Sequence, residues 1–71
     1  MKTITKYYLT TNNKVVTKLN KKIVLVDMVY NDPTLCDCPV VFKTNEDAIA
    51  FANKNNLTNI KVVKVTTDIY N

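Results

Sequence analysis

The chain has 71 residues with a net charge of +4, and it contains no Gly, His or Trp. A chain of this length forms one small domain with one core, so we expect a single α+β domain over residues 1–71. Without Gly there is no glycine-rich phosphate loop, and without His or Ser there is no Ser-His-Asp triad or Cys-His pair. We therefore expect a protein that is not an enzyme and that needs no cofactor.

The chain begins with two segments of strand composition, residues 2–11 and 14–19. Asn12 and Asn13 separate them, and in a chain without Gly, Asn is the residue that best accepts a positive φ. The pattern predicts a hairpin with a two-residue type I′ turn. That register places Leu9 opposite Val16 and Tyr7 opposite Lys18.

The most apolar segment is residues 23–30, which follows a predicted turn at residues 20–22. Its continuous aliphatic character predicts a strand in the centre of the sheet. The sequence Asn-Asp-Pro at 31–33 ends that strand, and residues 40–42 form a short fourth strand.

One helix is predicted from Thr44 onward, because Thr44 can cap the backbone N–H of Asp47. Apolar side chains then recur at helical spacing, at Ala48, Phe51 and Ala52. Asn55 or Asn56 can adopt the left-handed conformation that ends the helix, and residues 60–67 form the last strand.

The element order is β-β-β-β-α-β, which predicts a two-layer fold: a mainly antiparallel sheet with one helix packed on one face. The opposite face is expected to be partly open. The two-residue turn assigns six residues to that open face, namely Tyr7, Leu9, Val16, Lys18, Ile23 and Leu25.

The two cysteines, Cys36 and Cys38, are one residue apart. In extended chain their Cα atoms lie about 6.6 Å apart, near the upper limit for a disulfide, so a bridge would be strained. Two copies of the chain could together supply four thiolates to zinc, whereas one copy cannot. We expect instead that Leu35, Cys36 and Cys38 pack at the sheet edge, and we predict no metal site.

Charge is distributed unevenly along the chain. Residues 1–26 contain six Lys and no acidic residue, whereas residues 27–71 contain four Lys and all six acidic residues. Lysines interleaved with Tyr7 and Tyr8 suit single-stranded nucleic acid, although Arg is absent and the two tyrosines point to opposite faces. A basic, aromatic surface suits an acidic protein equally well. The predicted partner-binding residues are Tyr7, Lys14, Lys18, Lys21 and Lys22.

The segment FKTNEDAIAFA at residues 42–52, followed by a Val-rich strand, resembles small accessory proteins of bacteriophages and mobile elements of A/T-rich bacteria. The resemblance implies a small non-enzymatic protein that binds a host protein and inhibits or redirects it. The target would be a polymerase, a replication factor or a defence nuclease, as for anti-CRISPR proteins.

Two alternatives stand beside this prediction: a single-stranded nucleic-acid-binding protein, and a small structural or assembly subunit. A homodimer is possible in each case. The longest aliphatic run is residues 23–26, far too short to cross a membrane, so we expect a soluble protein of the cytoplasm, the host cytoplasm if a phage encodes it.

Overall fold

The structure, a computed structural model, describes residues 2–70. These residues form five strands and one α-helix: β1 (Lys2–Thr11), β2 (Lys14–Leu19), β3 (Lys22–Asp27), β4 (Val41–Phe42), α1 (Asn45–Lys54) and β5 (Ile60–Ile69). A 3₁₀ turn at Pro33–Leu35 lies between β3 and β4. Every strand pair is antiparallel, and α1 packs on the sheet. The predicted α+β class and element order are confirmed.

Strand β1 organises the sheet. One of its edges pairs with β5 over ten residues, from Lys2 opposite Ile69 to Thr11 opposite Ile60. Its other edge is shared, because β2 pairs with its last two residues and β4 pairs with the residues before them. The order across the sheet is therefore β3-β2-β1, with β4 beside β1 where β2 has diverged.

The chain leading into β4 fills the gap between β1 and β2. Lys18 donates its backbone N–H to the carbonyl oxygen of Cys38 at 3.3 Å, and Val40 donates to Val16 at 3.2 Å. On the other side Tyr7 lies opposite Phe42. The prediction that Tyr7 lies opposite Lys18 is wrong for this reason: the hairpin register is correct, but an inserted segment separates the two strands beyond the turn.

Positive φ angles at Asn12 and Asn13, with Thr11 opposite Lys14, confirm the predicted type I′ turn. The same geometry recurs at Asn20-Lys21 and at Tyr30-Asn31, each with both φ angles between 50° and 65°. The last of these turns begins at Tyr30, the final residue of the segment predicted as the third strand, and Val29 before it bridges to Asp32 after it. Strand β3 consequently ends at Asp27 instead of Tyr30.

Helix α1 has the predicted ends. The Thr44 hydroxyl accepts a hydrogen bond from the backbone N–H of Asp47 at 3.1 Å. At the other end Asn56 has φ 56°, and Leu57 donates its N–H to the carbonyl oxygen of Ala52 at 2.9 Å. This is the Schellman ending, here with Asn in the position usually taken by Gly.

The main core lies between α1 and the sheet. Leu9, Val16, Ala48 and Ala52 are fully buried and in mutual contact. Partly buried side chains surround them: Val40, Phe42, Phe51, Leu57, Ile60 and Val62. Because Leu9 and Val16 belong to this core, α1 covers the face that was predicted to be open. That prediction is wrong, since both faces of the β1–β2 hairpin carry buried apolar residues.

On the opposite face Tyr8 and Val15 are buried, together with Thr10 and Thr17. Because α1 lies on the other side, cover here comes from the segment between β3 and β4, whose 3₁₀ turn contacts β1 and contains the buried Pro33. The two buried threonines donate their hydroxyls to backbone carbonyls, Thr10 to Lys61 at 3.1 Å and Thr17 to Val24 at 2.7 Å. Both faces of the hairpin are thus core.

Candidate functional site

The most unusual surface of the described chain is strand β3. Within residues 2–70 it pairs with β2 alone, so it is an edge strand and the prediction of a central strand is wrong. All six of its residues are exposed, including the apolar run Ile23, Val24, Leu25 and Val26, each 36–41% exposed. A well-aligned, apolar edge strand is a template for another strand.

The free hydrogen-bonding groups of β3 can be assigned to particular residues. Lys18 N–H and Val16 C=O point away from β3, toward the chain that leads into β4. The groups that β2 directs at β3 therefore belong to the alternate residues, whose partners include Val24 and Val26. It follows that Ile23 and Leu25 direct their backbone N–H and C=O groups outward, at the open edge.

Charge is placed at the two ends of the strand. Lys21 and Lys22 precede the apolar run, and Asp27 follows it. Asp27 lies opposite Lys14 on β2, with 3.6 Å between the Lys14 Nζ and a carboxylate oxygen of Asp27. Both side chains are largely exposed, so this pair contributes little to stability. The open edge is therefore basic at one end, apolar in the middle and acidic at the other end.

The opposite edge of the sheet differs in chemistry. Strand β5 pairs with β1 alone among the described strands. Its exposed positions are polar or charged: Lys61, Lys64, Thr66, Thr67 and Asp68. Charged residues on an edge strand oppose pairing with another chain. Of these two edges, β3 is the one that lacks such protection in its central four residues.

The predicted partner-binding residues do not form one surface. Register places Lys14 and Lys18 on the face of the sheet that carries α1, whereas Lys22 lies on the other face. Lys21 occupies the turn between β2 and β3. Tyr7 is half-buried on the α1 side, opposite Phe42. The structure brings Lys21 and Lys22 to one end of the β3 edge and leaves the other three elsewhere on the sheet.

The cysteines lie just beyond the 3₁₀ turn. Cys36 is half-buried and its Sγ donates to the carbonyl oxygen of Asp27 at 3.9 Å, while Cys38 is exposed. Leu35 is 53% exposed, so the predicted packing of these residues holds only for Cys36, in part. Both thiols are free. Nowhere in residues 2–70 do three His, Cys, Asp or Glu side chains gather closely enough to hold a metal ion.

No protein-family model, no curated protein and no solved structure matches this chain. Within the described part of the chain no ligand-sized cavity is present. The same residues include no helix with the length and apolar character needed to cross a membrane.

Sequence analysis missed Val24 and Val26 as surface residues. A continuous apolar run is typical of a strand covered on both faces, and it was interpreted in that way. The signal for an edge was the brevity of the run: four apolar residues between a Lys pair and Asp27. A continuous apolar run therefore does not by itself distinguish an exposed edge strand from a covered central strand.

Proposed function

We propose that this chain is a non-enzymatic protein-binding module that takes an extended strand of a partner protein onto the open edge of β3. The observation that supports the proposal is the coincidence, at Ile23 and Leu25, of outward backbone groups and exposed apolar side chains. Main-chain hydrogen bonds supply affinity in strand addition, and alternate side chains supply specificity.

The chemistry of the edge describes its partner. Ile23 and Leu25 lie on the α1 side of the sheet, and Val24 and Val26 on the other, so an added strand gains apolar contacts on both of its faces. Lys21 and Lys22 favour an acidic group at that end of the partner strand. A protein that uses the bound segment in its own contacts would be inhibited or redirected, which is the host-directed role implied by the resemblance at residues 42–52.

Binding of single-stranded nucleic acid has less support. Such binding uses aromatic rings that are open for base stacking beside lysines that neutralise phosphates. Tyr8 is only 7% exposed, and Tyr7 is half-buried beside Phe42. The lysines near them are divided between the two faces of the sheet, as Lys6 and Lys18 illustrate.

A pull-down with paired variants tests the proposal. The tagged chain is incubated with nuclease-treated bacterial lysate and with an untagged copy of itself, and bound proteins are identified by mass spectrometry. Leu25→Pro removes an outward N–H, and Leu25→Lys places a charge in the apolar run; we expect each to abolish retention. Ile49→Lys is the matched control, because Ile49 on α1 is 39% exposed and Leu25 is 41% exposed.

Retention of a protein by the wild type and by Ile49→Lys, but by neither Leu25 variant, supports strand addition at β3. Retention that is equal in all four proteins would contradict it. Retention that appears only when nuclease is omitted would indicate a nucleic-acid-binding protein.

A further inference from the structure

We infer that the partner strand is β3 of a second copy of this chain, which adds antiparallel about a two-fold axis to make one continuous sheet. This inference rests on strand addition at β3 from the proposed function, and it names a second copy, in place of a host protein, as the partner at that edge. Its basis is that the edge is complementary to itself. The basic end at Lys21 and the acidic end at Asp27 lie on either side of one apolar run, so antiparallel copies bring opposite charges together.

Symmetry restricts the register. A two-fold axis between antiparallel strands of one sheet runs perpendicular to the sheet, so both copies keep α1 on the same side. Each residue must then lie opposite one that faces the same side. Ile23, Leu25 and Asp27 face the α1 side, and Val24 and Val26 face the other. The axis therefore passes next to a residue that lies opposite the same residue of the second copy, such as Val24 or Leu25.

The register centred on Val24 fits both the charges and the hydrogen bonds. It places Ile23 opposite Leu25 of the second copy, twice by symmetry, and each such pair exchanges two N–H···O=C bonds through its outward groups. It also places Lys21 opposite Asp27 of the second copy. The register centred on Leu25 would place Asp27 opposite Ile23 of the second copy, so that Asp27 keeps its ion pair with Lys14 of its own chain but gains no basic residue from the second copy.

The assembly closes as a dimer. Among the strands of residues 2–70, β3 is the apolar edge of each copy, while the other long edge, β5, carries Lys61, Lys64 and Asp68. A surface that pairs with itself forms a closed two-fold interface rather than a filament. The monomer leaves four consecutive aliphatic side chains exposed, and a short chain gains much from covering them.

Sedimentation equilibrium of the untagged full chain tests self-association. We expect a monomer–dimer equilibrium, with the dissociation constant raised roughly 10- to 100-fold by Leu25→Pro, because each chain loses one outward donor. Ile49→Lys should leave that constant unchanged. A wild type that is monomeric at all concentrations, or a dimer indifferent to Leu25→Pro, would overturn the inference.

Cross-linking tests the register. In a Cys36→Ala, Cys38→Ala background, Val24→Cys should form an interchain disulfide on mild oxidation, since residues opposed across a non-hydrogen-bonded pair lie about 4.5 Å apart at Cα. Leu25→Cys should not, because its two copies would be diagonal neighbours about 7–8 Å apart. The opposite result would overturn the register centred on Val24.

The two proposals fail in different ways. A monomeric wild type that retains a foreign protein in the pull-down, with loss in Leu25→Pro, would overturn the second copy as partner and leave strand addition at β3 standing. A monomeric wild type whose retention of proteins is unaffected by Leu25→Pro would overturn both.

Discussion

Val15 and Val26 lie directly opposite each other on neighbouring strands, yet Val15 is fully buried and Val26 is 38% exposed. The two valines share one face of the sheet, and cover on that face ends between β2 and β3. On the α1 side Val16 is likewise fully buried, while its partner Leu25 is 41% exposed. The core thus stops one strand short of the sheet edge on both faces, which is why β3 has the composition of a buried strand without its burial.

The first prediction concerns the main core. Leu9→Ala should lower the free energy of unfolding by about 2–5 kcal/mol, because Leu9 is fully buried against Ala48 and Ala52. The side chains of these two alanines are too short to fill the cavity that the substitution leaves. Urea denaturation followed by circular dichroism measures the loss. Leu19→Ala is the control: Leu19 is 56% exposed and should change stability by no more than about 0.5 kcal/mol. Equal losses in the two variants would contradict the placement of the core.

The second prediction concerns the start of α1. Thr44→Ala should destabilise the fold by about 1 kcal/mol, because the Asp47 backbone N–H loses its acceptor. Thr44→Ser keeps the hydroxyl and should retain most of the stability. Thr66→Ala is the control, because it removes a threonine side chain from an exposed position of β5 that caps no helix. A midpoint of urea unfolding that is equal for Thr44→Ala and Thr44→Ser would show that the cap contributes nothing.

The third prediction concerns the turn between β2 and β3. Lys21 has φ 65°, a left-handed conformation that is unfavourable for a residue with a Cβ. Lys21→Gly creates the Asn-Gly pair preferred in type I′ turns and should stabilise the fold by about 0.5–1 kcal/mol. For a chain of this size, 1 kcal/mol corresponds to a Tm increase of about 4–8 °C. Lys18→Gly, inside β2, should lower the Tm, and a decrease in both variants would contradict the turn assignment.

Local chemistry allowed much of the fold to be predicted from the sequence. The Asn12-Asn13 turn, the Thr44 cap and the left-handed residue after α1 each depend on a few neighbouring residues, and all three are confirmed. The element order could be predicted because these turns and helix ends mark where one element stops and the next begins. The α+β fold class could be predicted from that order, since one helix with one apolar side must cover one face of a sheet.

The order of the strands could not be predicted, because it depends on contacts distant in sequence. Nothing in the composition of residues 38–42 shows that they insert between β1 and β2. Alternation in the hairpin gives two equally apolar faces, Leu9 with Val16 and Tyr8 with Val15, and does not show which one α1 selects. The exposure of β3 depends on these long-range contacts, so the candidate site could not be predicted from the sequence either.

The fourth prediction concerns the pKa of Asp32, which precedes the 3₁₀ turn. The Thr34 hydroxyl and the Thr34 backbone N–H donate to the Asp32 carboxylate at 2.6 and 2.9 Å, and they hold the pKa of this group below its ordinary value of 3.8. Since the folded state favours the charged form, its contribution to stability is complete above pH 3.8 and is lost as pH falls through the lower, folded-state pKa. Thr34→Val removes the hydroxyl donor and should raise the pKa of Asp32 toward 3.8, which carboxyl-carbon NMR titration measures directly. Thr66→Val should leave that titration unchanged, and a pKa of Asp32 that is equal in the wild type and in Thr34→Val would show that the hydroxyl bond does not hold the carboxylate.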